Sequence, residues 1–586
     1  MIDSFRRLLP RSLLLIAVFW LAGLPVVSLL LGSMREGLQG GFTARYLRQV
    51  FLTADYVAPL LSTLELAAYV GLVATVLGSV LAWIMSRLRP PGSGLLEILI
   101  MAPIFISPFI GAIGWITLAQ PNSGIINAVL HNWGLPEINV VSYSGVVFIM
   151  ALFFVPYAYA LLKNSIDRLN PELEEAAAIC GANQIRTLLA VVLPLLWPSL
   201  LSAVIIIFVL SAEMFSIPGL LLVPQGFDFL AYTIYAKTTH WPINQAEASA
   251  VGVMLLIVTL AGMLVYSASV RIQERFITIG PRAARLDTSV SGVARFSGLT
   301  IVALFVLFSS ILPVAAIAIR ALLPFFSGEL HPSEFTLDNI RNTLSDRLAL
   351  TSLWNSLIVT VSATILLLIV AFLVALGQVR SRNAISTITW FIASIPVAVP
   401  GVLIGVGLIW LYVGTPVYAT LFIILLVMMA RFLPVQIRLF ETGLIQLGRE
   451  LEEAAAVCGA SESVTTRAIR LPLLAGTIRS AITITGTQVF NELTASALLF
   501  TSTSSVLPVV IFNYMFDGDY SRASALALVQ VVVIMALLAA IGLGSFLFGR
   551  GRTLIGRTAR KIDTAARQPD KTPAPHVLGR SEAVNS

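Results

Sequence analysis

One stretch of this sequence occurs twice, as ELEEAAAICGA at residues 172–182 and as ELEEAAAVCGA at residues 450–460. The two copies lie 278 residues apart, and a proline follows each at the same distance, at Pro194 and Pro472. Each copy is a polar break in a chain that is otherwise strongly apolar. The repeat therefore indicates a duplicated protein whose two halves carry one such polar element each.

The composition is typical of a protein embedded in a membrane. Of its 586 residues, 57% are hydrophobic and only 11% are charged, which excludes an ordinary soluble domain. Many apolar runs are long enough to cross a hydrocarbon core of about 30 Å as helices, and no alternating strand pattern suggests a barrel. The net charge of +7 does not indicate nucleic-acid binding, because the basic residues cluster at alternate ends of the apolar runs.

The apolar runs predict an all-α membrane protein with twelve transmembrane helices, arranged as two parallel six-helix repeats. The predicted spans of the first repeat are 12–32, 58–85, 97–119, 143–163, 197–222 and 247–270. Those of the second repeat are 298–322, 353–379, 387–411, 416–440, 475–500 and 524–548.

The domain organisation follows from these spans. The predicted parts are a first repeat at 1–280 with a polar loop at about 164–196, a linker at 281–296, a second repeat at 297–548 with a polar loop at about 441–474, and a disordered basic tail at 549–586. Arginines mark the same side of the predicted membrane at the N-terminus, the linker and the tail. By the positive-inside rule that side, with both termini and both polar loops, is cytoplasmic.

The repeated stretch has the signals of a short helix that ends in a glycine turn. Asn170 and Pro171 are typical of a helix start, and Gly181 is typical of a helix end. The alanines would let a partner surface approach closely, while the glutamates would pair with its basic residues. The alternative is a surface hairpin with no partner, but two copies with the same spacing in matching places favour a docking element.

The repeat resembles the signature of permease subunits of binding-protein-dependent ABC importers, which is Glu-Ala-Ala, three residues, Gly, nine residues and Ile-x-Leu-Pro. The first copy has Val191 where isoleucine is usual, and the second copy, with Ile469, matches fully. The resemblance covers nearly the whole chain. Two permease domains fused in one chain are most similar to the iron(III)-type permeases.

This resemblance implies a type I ABC importer permease fold in a bacterial inner membrane. It implies a periplasmic substrate-binding protein and two copies of an ABC ATPase as partners, besides the lipid bilayer. The residues that it implies for ATPase coupling are Glu174, Glu175, Ala176, Ala177, Gly181 and Pro194 in the first repeat, and Glu452, Glu453, Ala454, Ala455, Gly459 and Pro472 in the second. The implied cargo is ferric iron, with thiamine, aminoethylphosphonate or sugar phosphate as alternatives.

The chain is not expected to hydrolyse ATP, and no catalytic residue is predicted. A phosphate-binding loop needs a Gly-Lys pair followed by Ser or Thr, and none of the lysines follows a glycine. ATP and Mg are therefore expected on the partner ATPase, and no cofactor is expected on this chain. The histidines are scattered without ligand spacing, so no metal site is predicted either.

Glu213, Glu492 and Arg431 are charged residues that fall well inside predicted spans. A charge near the middle of a bilayer costs about 3 kcal/mol on insertion scales, so such residues face a cavity or a partner. They are candidates for the translocation pathway, and the alternative is that they only hold helices together. Arg431 has no charged counterpart, because Phe153 occupies the matching position, and it could pair with one of the glutamates.

Two function classes compete with the importer permease. An ion-coupled secondary transporter could use Glu213, Glu492 and Arg431 as a relay. A membrane receptor that transports nothing would account for the docking elements but not for charges within the spans. The paired docking motifs favour the importer.

Overall fold

The computed structural model describes residues 2–37, 40–276, 292–324 and 332–566. The described residues are predominantly helical, and their only bridge between extended residues joins Arg35 to Phe42. By its contacts the chain divides into residues 1–534, which hold the functional site described below, and residues 535–586.

Twelve main helical segments follow one another along the described chain, two of them bent pairs. They are α1 (Pro10–Gly32), α2 (Ala54–Leu88), the pair α3 (Ser93–Phe105) and α4 (Pro108–Ala119), α5 (Tyr143–Ile166), α6 (Ile185–Ala212), α7 (Gln245–Arg271), α8 (Gly292–Leu322), α9 (Arg347–Arg380), the pair α10 (Ala384–Val397) and α11 (Gly401–Tyr412), α12 (Leu421–Gln446), α13 (Ala475–Phe490) and α14 (Tyr520–Ala566).

Shorter helices connect these segments. They are Arg45–Leu52, Ile125–Asn132, Pro171–Ile179, Ser216–Leu221, Leu230–Thr239, Asp338–Ser345, Glu450–Val457, Glu462–Thr465, Ser496–Leu499 and Leu507–Phe516.

The predicted count of twelve spans is not confirmed. Within the described residues, nine helices are long and apolar enough to cross a membrane, or eleven spans if each bent pair counts as one. The predicted span 475–500 is not among these helices. Its helix α13 has only 16 residues and includes the polar Arg479 and Gln488. The predicted span 197–222 is confirmed only in part, since α6 begins earlier and ends at Ala212.

The third span of each half is bent rather than straight. The bend is 94° between α3 and α4, and 111° between α10 and α11. Ser107 and Pro400 have extended backbone at the two breaks, each just before the next helix begins. A proline explains each break, because Pro108 disfavours helical backbone at the residue before it and Pro400 has no N–H to donate. Hydropathy along the sequence cannot show this, since apolar residues lie on both sides of the break.

The first helix of each half packs against the bent pair of the other half. α1 crosses α11 where Gly407 lies against the Pro25 carbonyl, and the Ser28 hydroxyl donates a 2.8 Å hydrogen bond to the Gly407 carbonyl. α8 crosses α4 in the same manner, with Gly114 against Pro313. Glycines at such crossings let two helix backbones approach closely. The two halves are therefore interlocked.

Within each half the matching helices also pack in the same way, with α2 against α5 and α9 against α12. The structure thus repeats the arrangement that the duplicated sequence predicts. The exact boundaries of the repeats stay predictions, because most of the predicted linker at 281–296 lies outside the described residues.

The predicted disordered tail needs one correction. Residues from 549 to Ala566 continue helix α14, since they include Leu, Ala, Arg and Lys, which favour helix. Residues 567–586 lie outside the described part of the chain.

The helix crossings give a first testable prediction. A Cβ atom on Gly407 or Gly114 would overlap backbone of the opposing helix, so Gly407→Ala or Gly114→Ala is expected to destabilise the fold by about 1–3 kcal/mol. Gly486 within α13 has open space around it, so Gly486→Ala is the matched control and is expected to leave stability unchanged or slightly raised. The measurement is the thermal unfolding midpoint of each purified variant. A midpoint for Gly407→Ala equal to that of the control would contradict the close crossing.

Candidate functional site

The first repeated stretch forms the short helix Pro171–Ile179, which ends as the sequence predicts. The Asn170 side chain accepts a 3.1 Å hydrogen bond from the Glu172 N–H at the start of the helix. Gly181 has a φ of +79°, and the Ala182 N–H donates to the Ala177 carbonyl at 3.0 Å. This is a Schellman turn, whose left-handed residue favours glycine.

The second stretch forms the helix Glu450–Val457 and ends in the same turn. Gly459 also has a φ of +79°, and the Ala460 N–H donates to the Ala455 carbonyl at 2.9 Å. The start of this helix has no side-chain cap. The two loops, 164–196 and 441–474, are called the first and second coupling loops below, and the helices Pro171–Ile179 and Glu450–Val457 within them are called the coupling helices.

Neighbouring glutamates in each coupling loop face different surroundings. Glu174 forms an ion pair with Arg87, and Glu452 forms one with Arg380 at 2.9 Å. Both arginines lie at the end of the second helix of their half, α2 or α9. Glu174 and Glu452 therefore tie each coupling helix to a long helix of the same half.

The next glutamate of each loop, Glu175 or Glu453, is exposed. An isoleucine or valine at the end of each coupling helix is exposed as well, with 87% of Ile179 and 88% of Val457 accessible. Ala176 and its counterpart in the second loop are also exposed. Apolar side chains held out beside small residues are typical of an interaction surface. The sequence analysis missed Ile179 and Val457, although their apolar character within a polar break was the available signal.

Pro194 and Pro472 lie apart from the coupling helices. Each follows a wide, π-helical turn, Leu188–Val192 in the first loop and Thr466–Arg470 in the second. A proline lacks the N–H that would close an ordinary helical turn, which fits the widened geometry. These prolines mark the return of the chain into the bundle.

The second coupling loop is held by more contacts than the first. Arg470 pairs with Glu452 at 2.7 Å and with Glu462. At the matching positions of the first loop stand Val192 and Gln184, which carry no charge. Burial alone would raise the pKa of Glu452, but hydrogen bonds from Arg470 and Arg380 outweigh it and hold the pKa below its usual value. Glu452 is therefore ionised, and its pairs are intact, at neutral pH.

The three charged residues predicted within the spans meet at one cavity between the halves. Its volume is about 140 Å³, and Glu213, Glu492 and Arg431 are the only charged residues among the described side chains that line it. The other lining residues include Phe109, Phe153, Tyr157, Phe432, Gln488 and Thr494.

Glu213 belongs to the first half but is bound by the second. It ends helix α6, and one carboxylate oxygen lies 2.9 Å from Arg431 Nη2. The other oxygen accepts a 3.2 Å hydrogen bond from the N–H of Gly401, the first residue of α11. A side chain at Gly401 would overlap the Arg431 guanidinium, so the close approach requires glycine.

Glu492 is held mainly by its own segment. Its carboxylate accepts hydrogen bonds from the N–H groups of Ala495 and Ser496, at 2.9 and 3.2 Å, and from the Ser496 hydroxyl at 2.9 Å. Arg431 Nη1 lies 3.6 Å from the same carboxylate. Arg431 thus contacts both glutamates.

The two glutamates do not occupy matching positions in the repeats. Glu213 ends α6 at the position where Asn491 ends α13, and Glu492 is the next residue. Asn491 donates a 3.0 Å hydrogen bond to the Phe105 carbonyl and accepts one from Gln530. The sequence analysis missed Asn491, Gln530 and Gly401, because an amide or a glycine gives no signal until its partner is known.

Residues 74–279 and 368–549 each match the family of the inner membrane component of binding-protein-dependent transport systems. The chain belongs to this family. It contains the family's domain twice, and it is therefore the multi-pass inner-membrane permease of a binding-protein-dependent ABC importer.

The chain is similar over most of its length to permeases named for ferric transport. One is the ferric transport system permease protein FbpB of Actinobacillus pleuropneumoniae, 26% identical over 549 residues that cover 90% of this chain and 76% of the relative. Another is the putative FbpB 1 of Haemophilus influenzae, 25% identical over 86% of this chain and 83% of the relative. The putative 2-aminoethylphosphonate transport system permease protein PhnV of Salmonella typhimurium is 28% identical over 249 residues. The matched region is 41% of this chain and 91% of the relative.

The unequal anchoring of the coupling loops gives a second prediction. Arg87→Met removes the ion-pair partner of Glu174, whereas Arg470→Met leaves Glu452 paired with Arg380. A charge-assisted hydrogen bond contributes roughly 1.5 kcal/mol or more, so amide exchange across residues 171–182 is expected to rise about tenfold in Arg87→Met.

Exchange across residues 450–460 is expected to rise less in Arg470→Met. Hydrogen–deuterium exchange with mass spectrometry on both purified variants measures the difference. Equal loss of protection in the two loops would show that the extra contacts of the second loop contribute nothing.

Proposed function

We propose that this chain forms the whole membrane channel of an ATP-driven importer for ferric iron. A periplasmic binding protein delivers the iron, and two copies of an ABC ATPase dock on the two coupling loops. ATP and Mg bind to the ATPase, and this chain binds no cofactor. The chain acts as a transport subunit rather than an enzyme.

The observation that carries this proposal is the pair of coupling helices, which have the same terminal turn and the same arrangement of paired and exposed glutamates. In each, one glutamate ties the helix to the bundle and the next is exposed beside an exposed apolar residue. Two equivalent surfaces suit two copies of one partner. Exposed Glu175 and Glu453 suit basic residues on that partner.

The anchoring ion pairs offer a route for the motion. Glu452 connects the second coupling helix to Arg380 at the end of α9, and α9 packs along α12, which carries Arg431. When the ATPases close on ATP, a displacement of the coupling helices is carried by these packed, rigid helices to the cavity between the halves.

The cavity charges favour a cation as cargo. Two carboxylates and one guanidinium give its described lining a net negative charge. Such a lining attracts cations and opposes phosphonates or sugar phosphates. The similarity to the two ferric permeases over most of the chain supports the same choice.

The orientation follows from the basic residues near the coupling loops. Arg87 and Arg380 lie at the same end of the bundle as the coupling helices that they hold. By the positive-inside rule this end is cytoplasmic, and both termini lie on that side.

Charge reversal on the exposed glutamates provides the third prediction. Glu175→Lys combined with Glu453→Lys is expected to lower ATPase co-purification and ATP-dependent uptake about tenfold, because like charges replace attractive ones at both docking surfaces. The fold should stay intact, since both side chains are exposed. Glu334→Lys, at an exposed site remote in sequence from either coupling loop, is the matched control. Unchanged co-purification and uptake would refute the docking role.

Reconstitution provides the fourth prediction. Proteoliposomes with the permease, its ATPase and its binding protein are expected to take up radioactive iron(III) only when ATP is present. Uptake of 2-aminoethylphosphonate but not of iron would refute the assignment of the cargo. Uptake under a proton gradient without ATP would refute the ATP-driven mechanism.

A further inference from the structure

The ion pair between Glu213 and Arg431 joins the two halves, whereas the pairs at the coupling loops each lie within one half. Both oxygens of the Glu213 carboxylate are bound from across this boundary, one by Arg431 and one by the Gly401 N–H. Glu213 lies at the end of α6, where the helix breaks before Ser216–Leu221. Its partners can therefore be lost together if the halves part.

Glu492 behaves differently because its partners belong to its own half. Three of its hydrogen bonds come from Ala495 and Ser496, and Arg431 also belongs to the second half. Only 3% of the Glu492 side chain is exposed. If the halves part, Glu492 would thus stay paired with Arg431, and only Glu213 would lose its partners.

A carboxylate that loses its counter-charge in a narrow cavity becomes a strong attractor for cations. Arg431 cannot follow Glu213, because it lies on α12 and keeps its contact with Glu492. An opening of the cavity would therefore create a negative site on one wall at the moment when cargo enters. A closing of the cavity would return the guanidinium to Glu213 and remove that site.

We propose that Glu213 is the pathway residue that binds the cargo cation in passing, and that Arg431 is a tethered cation that displaces the cargo when the halves close. The inference rests on the proposed function, since it requires a cationic cargo. It adds a substrate-binding residue and a means of release to the channel. The competing explanation is that the ion pair only braces two helices.

Exchange of the two charges separates these explanations. The double variant Glu213→Arg with Arg431→Glu keeps an ion pair between the halves but puts a fixed positive charge on the wall that should receive the cargo. The carboxylate introduced at position 431 would also lie beside Glu492, so thermal stability is expected to fall, whereas ATPase co-purification persists and iron(III) uptake in proteoliposomes falls at least about tenfold. If the double variant takes up iron(III) as fast as the unchanged chain, the ion pair only holds two helices together, and the inference is overturned.

The single variant Glu213→Gln covers the case in which the exchanged pair does not assemble. Its amide keeps the shape, and its single oxygen can accept the hydrogen bond from Gly401 or from Arg431 but not both, so assembly is expected to persist with some loss of stability while uptake falls about tenfold. Glu441→Gln is the matched control, because Glu441 lies on α12 and pairs within its own half with Arg438. Unchanged uptake in Glu213→Gln, or an equal fall in the control, would overturn the inference.

A binding measurement tests the same idea without transport. Terbium(III) stands in for the trivalent cargo, and Tyr157 in the cavity wall can sensitise its luminescence. Arg431→Met is expected to gain one terbium site relative to the unchanged chain, and Arg431→Met with Glu213→Gln is expected to lose it. Absence of that gain would overturn the inference.

The outcomes also distinguish this inference from the proposed function. If the unchanged chain takes up no iron(III), the proposed function fails and the inference fails with it. If it takes up iron(III) and the exchanged pair does so equally well, only the role of Glu213 and Arg431 fails.

Discussion

An ion pair between each coupling helix and the end of a long helix is the contact on which the rest of this structure depends. Glu174 with Arg87, and Glu452 with Arg380, fix two short surface helices that bury little of their own area. A helix of eight or nine residues is not stable alone in water, so it needs such external contacts. The same contacts place the exposed glutamate and the exposed apolar residue outward on each loop.

The two halves share an architecture but not their charges. The second half adds Arg470 at its coupling loop and Arg431 at the cavity, where the first half has Val192 and Phe153. Two halves in one chain always assemble in a one-to-one ratio, so each can specialise. The result is one firmly held loop, one lightly held loop, and a cavity whose two walls carry different charges.

Close helix packing explains how these charges are brought together. The glycines at Gly407 and Gly114 let the first helix of each half cross the bent pair of the other half. Gly401 begins α11 beside Glu213 and leaves room for the Arg431 guanidinium. The broken helices direct N–H groups at carboxylates within the bundle, where water is scarce and such partners matter most.

The sequence by itself determined the membrane class, the duplication, most of the spans and the terminal turns at Gly181 and Gly459, because hydropathy and helix capping are encoded by neighbouring residues. Only the tertiary structure decided that Glu174 is bound while Glu175 is exposed, since adjacent residues of a helix point to different faces and the partner arginine is distant in sequence. Tertiary structure likewise decided the bends, the break in the span that ends near Glu492, and the joint pairing of Arg431 with both glutamates. These features depend on which remote groups meet, and no local pattern records that.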